Sequence, residues 1–382
     1  MSVEYDFEDD YTETKALVDI PLESGDVEAL VAAAAIRLDA SNLVLPDREV
    51  LLRRIVTGLL AGHVILAGPP GTGKTTLAKL IADVFGCTLQ VETATADWST
   101  YDVIGGLQPR IQNDTPIPTE TIAPWQGHVT RAVLECARKV SLNVLDSGNH
   151  PAQAHWLVID EFNRCEIDKA VGGLYTVLGG GPAESLKLWF EQEPKKFELW
   201  IPARFRIIAT LNSVDTNYVY RFSQGLTRRF RQVYVGVPSR EQLPDEMEQA
   251  INQALKWLKA MYPDGLDAAS VTSRISAVKQ KIADVFALLR YGDEKIAGWP
   301  VGTAQLVDVV REIALLARSE GDLLPHVDLA LADLIVPQMG DLAAVQLDYF
   351  EQAFANGGDH SDLTRTSNAL AQLREAQNTS FA

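Results

Sequence analysis

Gly68-Pro69-Pro70-Gly71-Thr72-Gly73-Lys74-Thr75 is a glycine-rich string of the kind that cradles phosphate. Its glycines let backbone N–H groups converge on phosphate oxygens, and a helix beginning there adds the positive end of its dipole. Lys74 has the reach and charge for β- and γ-phosphates, the Thr75 hydroxyl suits Mg²⁺, and Thr76 extends the binding string. The pattern predicts a nucleoside triphosphate site. Such a site needs a metal anchor and a group that polarises water. Asp160 and Glu161, which follow the apolar run Trp156-Leu157-Val158-Ile159, supply the two carboxylates. An acidic pair after a strand is often a solvated strand end. Its position 86 residues after Lys74, in a chain with a full phosphate loop, favours the catalytic reading. Asn212 ends another apolar run, Phe205 to Leu211, and could bond a phosphate or the attacking water; a turn-forming Asn is the alternative. Arg228 and Arg229 could neutralise charge on a transferring phosphoryl group, from a neighbouring subunit if need be, or could serve in ordinary ion pairs.

These residues need a scaffold that brings strand ends together. The run 63–67 reads as a buried strand and 74–85 as a helix stopped by Gly86. Further strands are expected at 88–93, 156–160, 205–211 and 232–237, with helices at 128–140 and 166–178. Two helices, 27–38 and 46–60, precede the loop. Alternating strands and helices predict an α/β fold with a parallel sheet covered on both faces. After Pro238 the pattern becomes helical, with amphipathic stretches at 240–261, 270–290, 302–318, 326–336 and 342–355. The expected division is an acidic leader with a short helix over 1–45 and a nucleotide-binding domain over 46–238. A helical lid over 239–356 and a polar, flexible tail over 357–382 follow; 363–376 could form one more helix.

The net charge of −17 is concentrated at the ends. Residues 1–30 hold ten carboxylates against Lys15 alone, and residues 2–20 show no periodic apolar face. The leader is therefore expected to be solvated and dispensable for the fold, or else to dock on a basic surface. No apolar run nears eighteen residues and the N-terminus lacks a basic region, so neither a membrane span nor a signal peptide is expected. Cys87, Cys136 and Cys165 are too few and too scattered for a disulfide framework or zinc site, which suits a cytoplasmic protein without a structural metal.

The ordered motifs GPPGTGKTT, LVIDEFNR, IIATLNSVD and LTRRF resemble the AAA+ ATPases, within the dynein-related branch that includes the MoxR and McrB groups. The resemblance spans about residues 43–318, and Asp160-Glu161-Phe162-Asn163-Arg164 is similar to the DEINR signature of McrB-like proteins. It implies that Lys74 and Thr75 are Walker A, Asp160 and Glu161 Walker B, Asn212 sensor 1, and Arg228 with Arg229 the finger positions. Asp215 matches an acidic residue after sensor 1, while Thr216 stands where that group has Arg. Residues 197–202 correspond to a hairpin preceding sensor 1, and Ala304 or Gln305 occupies the slot of a sensor 2 arginine. The insertion over 95–127 reads either as a loop packed on its own subunit or as a substrate-contacting element in a pore.

The resemblance further implies a hexameric, Mg²⁺-dependent hydrolase that remodels a protein or nucleic-acid partner. Two alternatives are a nucleotide-gated switch that recruits an effector protein and a DNA-translocating motor for a separate nuclease. No guanine-reading Asn-Lys-x-Asp string is present, so ATP is the expected nucleotide over GTP.

Overall fold

The computed structural model describes residues 7, 9–41, 43–112, 119–146, 148, 150–178, 185–212, 224–264, 267–293, 295–355 and 357–380. The chain forms two compact units: residues 1–38, 47–68 and 74–234 in the first, and 39–46, 69–73 and 235–382 in the second.

The first unit opens with helices α1 (Val27–Ala40, whose last two residues fall to the other unit) and α2 (Arg48–Ala61). Strand β1 (His63–Gly68), helix α3 (Lys74–Val84) and strand β2 (Cys87–Thr93) follow. Next come a short helix α4 (Thr100–Val103), hairpin strands β3 (Gly105–Gln112) and β4 (Thr119–Gln126), α5 (His128–Leu145) and β5 (Ala154–Asp160). A short α6 (Ile167–Val171) leads to a second hairpin, β6 (Ser185–Lys187) and β7 (Glu198–Trp200). Strand β8 (Ile207–Asn212), α7 (Gln224–Thr227) and β9 (Phe230–Tyr234) complete the unit.

Five strands form one parallel sheet in the order β2-β5-β8-β1-β9. Every residue of β1 is buried, as the unbroken apolar run requires of a central strand flanked on both sides. His63 begins that strand at 7% exposure and accepts the Ile207 amide hydrogen at Nδ1 over 3.0 Å. Burial holds its pKa down to about 3, so the imidazole is neutral.

The acidic leader is not the solvated segment that its composition suggested. Phe7, Tyr11 and Leu17 are 5%, 3% and 2% exposed, and residues 11–17 form a 3-10 helix. Thr14 Oγ1 donates to the Tyr11 carbonyl (2.6 Å) and accepts the Trp200 amide hydrogen (2.9 Å). Lys15 lies over the Trp200 ring, and the Asp10 carboxylate pairs with Lys195. Further along, the buried Arg204 guanidinium donates to the Pro21 carbonyl (2.8 Å), Glu23 (2.8 Å) and Asn143 (2.7 Å). Phe7, Tyr11, Thr14 and Leu17 recur three to four residues apart, so an apolar stripe is present but interrupted by carboxylates.

The described parts of the insertion, 95–112 and 119–127, form an antiparallel strand pair on a packed base. Trp98 is buried and stacks on His128, with centroids 4.9 Å apart, and Tyr101 stacks on Trp125 at the same distance. Beyond that base the ribbon exposes Leu107, Ile111 and Ile122.

The second unit is helical: α8 (Leu243–Met261), α9 (Ala268–Tyr291), α10 (Thr303–Leu316), α11 (Leu324–Ala330), α12 (Ala344–Phe354) and α13 (Thr364–Ser380). Its core takes Met247, Ile251 and Leu258 from α8, Ile282 and Phe286 from α9, and Ile313 from α10. Arg290 and Glu246 form a fully buried ion pair, with Thr303 Oγ1 donating to the same carboxylate at 2.5 Å. The tail also differs from expectation. Leu363 and Leu370 are 0% and 2% exposed, Asp328 caps α13 by accepting the Arg365 and Thr366 amide hydrogens (both 2.8 Å), and Arg374 pairs with Asp348 at 2.6 Å. Leu370 on α13 and Leu363 just before its start hold this otherwise polar helix in the core.

The packed leader predicts that Leu17→Ala destabilises the first unit by about 2–5 kcal/mol, as for other buried leucines. Urea unfolding followed by Trp fluorescence should show an earlier transition at low and high salt alike. An unchanged midpoint would place the leader outside the fold.

Candidate functional site

The site is assembled by the parallel sheet. Register pairs Gly68 of β1 with Asn212 of β8, and Ile159 of β5 with Ala209 of β8. The C-terminal ends of three adjacent strands therefore lie side by side, where open α/β sheets bind ligands.

From β1 the chain enters the glycine loop. Gly71 and Gly73 adopt φ of 74° and 80°, a region that L side chains rarely occupy. Thr72 is buried, and its hydroxyl closes the turn onto the Pro69 carbonyl at 3.0 Å; Pro70 stands between Pro69 and Gly71. Lys74, only 6% exposed, reaches back so that Nζ donates to the Gly68 carbonyl at 3.0 Å. Thr75 Oγ1 donates to Asp160 Oδ1 at 2.8 Å, joining the first turn of α3 to the end of β5. Thr76 is exposed on α3 and has a hydrogen-bonding role in none of the contacts that tie Thr75, Asp160 and Asn212 together.

Asp160 Oδ1 accepts a second hydroxyl, from Thr210, at 2.5 Å, and the same Thr210 oxygen accepts the Glu161 amide hydrogen at 3.0 Å. Thr210 thereby orients both acids. Thr210 is not among the site residues expected from the sequence, although it sits two residues before Asn212 and period-two alternation puts both on one face of β8. Glu161 sits in left-handed backbone at φ 54°, and its carboxylate pairs with Arg164 Nε through Oε2 at 2.6 Å. Asn212 Nδ2 approaches Glu161 Oε1 at 3.5 Å, the outer limit of a hydrogen bond. Asn163, 4% exposed, pairs its side-chain amide with the Asn212 main chain, donating to O and accepting from N at 3.3 Å each. Asp215 and Thr216 lie outside the described residues.

The donor set fits a magnesium nucleotide. A hydroxyl and a carboxylate held 2.8 Å apart are hard oxygen ligands of the type Mg²⁺ takes. The positive-φ glycines leave the backbone bare for phosphate.

Arg228 and Arg229 are not part of this cluster. They immediately precede β9, whose first residue, Phe230, pairs with His63 at the start of β1. Strand β1 runs six residues from there to Gly68, about 17 Å at the usual strand rise. The arginines thus stand at the opposite edge of the sheet from Asp160 and Asn212. Their environments also differ. Arg229 donates to the Tyr175 carbonyl (2.6 Å) and the Gly225 carbonyl (3.0 Å), and lies over the Tyr175 ring. Arg228 is exposed. Within the second unit, Ala304 N donates to the Gly71 carbonyl at 3.0 Å, and Gln305 Nε2 donates to Gln338 Oε1 at 3.2 Å. Arg311 pairs with Asp308 at 3.4 Å and lies over the Trp257 ring.

Residues 63–230 match the family model described as AAA domain (dynein-related subfamily), and the chain carries an AAA+ ATPase domain of that branch. A 51-residue segment is 43% identical to the Holliday junction branch migration complex subunit RuvB of Synechococcus sp. (strain CC9311), and 45% identical to that of Prochlorococcus marinus (strain MIT 9303). The segment is 13% of this chain and 14% of each relative, so the chain spans about a seventh of the length of the curated relatives it matches. No helix among the described residues is long and apolar enough to cross a membrane.

The two arginines should separate in a stability measurement. Arg229→Ala removes charge-assisted bonds to two carbonyls and should cost about 1.5–3 kcal/mol. Arg228→Ala should stay within about 0.5 kcal/mol of the parent, as for other exposed positions. Equal thermal shifts for the two variants would contradict the assignment of Arg229 to the fold.

Proposed function

We propose that this protein is an oligomeric, ring-forming ATPase that completes its active sites between neighbouring copies and uses hydrolysis to remodel a protein or nucleic-acid partner. The observation that carries this reading is the 2.8 Å bond between Thr75 and Asp160, with Lys74, Glu161 and Asn212 around it. Bound Mg²⁺ and ATP would supply an electrophilic terminal phosphorus and a nucleoside diphosphate leaving group. In this reading Lys74 and the loop glycines bind the phosphates, and Thr75 and Asp160 hold the metal. Glu161 takes the proton of the attacking water, and Asn212 orients that water.

Among the described residues the cluster holds two cations, Lys74 and Arg164, and the Arg164 guanidinium is paired with Glu161; charge developing on the phosphoryl group calls for a further one. An arginine about 17 Å away along the sheet cannot supply it in its own copy. Arg228 of a neighbouring copy fits this role. Its exposure favours it over Arg229, whose guanidinium is bound to its own unit. Similarity to MoxR and McrB groups supports a ring, hexameric in those relatives. The short match to branch-migration subunits supports the motor class and keeps nucleic acid among the partners.

Lys74→Ala should weaken ATP binding on the order of 10- to 100-fold, the worth of a charge-assisted phosphate contact, as read by calorimetry. Equal affinity would remove the loop from the site. Sharing between copies is tested by mixing Glu161→Gln chains, which keep the arginine, with Arg228→Ala chains, which keep the base. Each variant alone should be nearly inactive. A one-to-one mixture should recover turnover at about one interface in four if copies assort at random in a closed ring. Verified mixed assemblies without recovery would contradict catalysis between copies.

A further inference from the structure

Resting on the hydrolase reading above, we infer that Arg164 is a positioning residue that restrains the Glu161 carboxylate, and that turnover requires its guanidinium to let go. Arg164 belongs to the Asp-Glu-Phe-Asn-Arg string, yet binding and hydrolysis as described leave it without a role.

The restraint is built into the turn that follows β5. Residues 162–164 form a single 3-10 turn, closed by the Arg164 amide donating to the Glu161 carbonyl at 2.9 Å. That short connection delivers Nε to Glu161 Oε2 at 2.6 Å. Two neighbours anchor the turn. Phe162 is 0% exposed, and Asn163 is 4% exposed and bound to the Asn212 main chain on both sides. Asn212 Nδ2 faces the remaining carboxylate oxygen at 3.5 Å. The backbone is thus fixed on either side of the base, and both carboxylate oxygens face donors.

A general base must turn a lone pair toward the water whose proton it takes. With Oε2 in a charge-assisted pair and Oε1 facing an amide, Glu161 is held in a non-accepting state. Of the two groups in the pair, Arg164 is the one free to leave. Its side chain is 54% exposed against 27% for Glu161, and it carries the longer and more flexible stem. Moving it breaks one ion pair and disturbs no buried packing. The Glu161 main chain, by contrast, is held by its left-handed turn and by its amide bond to Thr210.

The test compares wild type, Arg164→Ala and Arg164→Lys for steady-state ATP hydrolysis at matched assembly, with ATP affinity measured in parallel by calorimetry. Arg164→Ala should raise kcat about two- to fivefold, the worth of one partly exposed ion pair, with affinity and KM unchanged. Arg164→Lys, which keeps the charge, should return kcat toward wild type. A purely structural role would instead lower kcat in both variants or move KM. A kcat that is unchanged or lower in Arg164→Ala, with binding intact, overturns the restraint and leaves the hydrolase reading standing. Absence of turnover in both wild type and Arg164→Ala overturns the restraint as well. The underlying reading fails separately, if ATP binding does not depend on Lys74.

Discussion

Parallel pairing of β5, β8 and β1 is the constraint on which everything else at this site depends. Each strand alone ends in residues of ordinary chemistry: a glycine loop, an acidic pair, an amide. Register Gly68↔Asn212 and Ile159↔Ala209 puts those ends on one line, so that Thr75 reaches Asp160 and Thr210 reaches both Asp160 and the Glu161 amide. The strands are buried on both faces, which makes the register hard to shift without moving apolar side chains out of the core. The same parallel arrangement sends Arg228 and Arg229 to the far edge beside the start of β1. One sheet therefore gathers Lys74, Thr75, Asp160, Glu161 and Asn212 and puts Arg228 and Arg229 elsewhere. Under the proposed function, that separation is the physical reason for sharing a site between copies.

Much of this was legible in the sequence because it depended on local pattern. The apolar run 63–67 followed by GPPGTGKT specifies a strand, loop and helix within about twenty residues, and the structure contains them as β1, the positive-φ glycines and α3. Asp160 and Asn212 were found as polar ends of buried runs. Thr210 was not singled out, although alternation along β8 puts it beside Asn212. Features that arise from distant pairing could not be read. The placement of β8 between β5 and β1 is one example. Another is the difference between Arg228 and Arg229, which rests on a carbonyl 54 residues earlier in the chain.

The largest correction lies at the N-terminus, where composition outweighed periodicity. Ten carboxylates in thirty residues concealed the stripe formed by Phe7, Tyr11, Thr14 and Leu17. Among the described acids Asp9, Asp19, Glu23, Asp26 and Glu28 are exposed, and several acids find cations on the first unit: Asp10 with Lys195, Glu23 with Arg204, and Glu28 with Arg53. A net charge of −17 is thus partly compensated by local pairing rather than left as a repelling tail. The hairpin β3–β4 was not predicted for another reason: Leu107, Pro109 and Ile111 do alternate with polar residues, but Pro109 and Pro124 stand inside the two strands, and proline within a run argues against a strand.

The account stands on separating two acts at one site: holding a nucleotide and activating water against it. Glu161→Gln keeps the side chain's size and removes its proton-accepting charge, so it isolates the second act. Equilibrium ATP affinity and single-turnover phosphate release, measured on the same preparation with Mg²⁺, test the claim most directly. The expected result is affinity within about twofold of the parent and release slowed by about 10²- to 10⁴-fold, the usual contribution of a positioned base. Release at the parent rate, or loss of binding in step with loss of release, would contradict the assignment of Glu161 and the division of labour built around it.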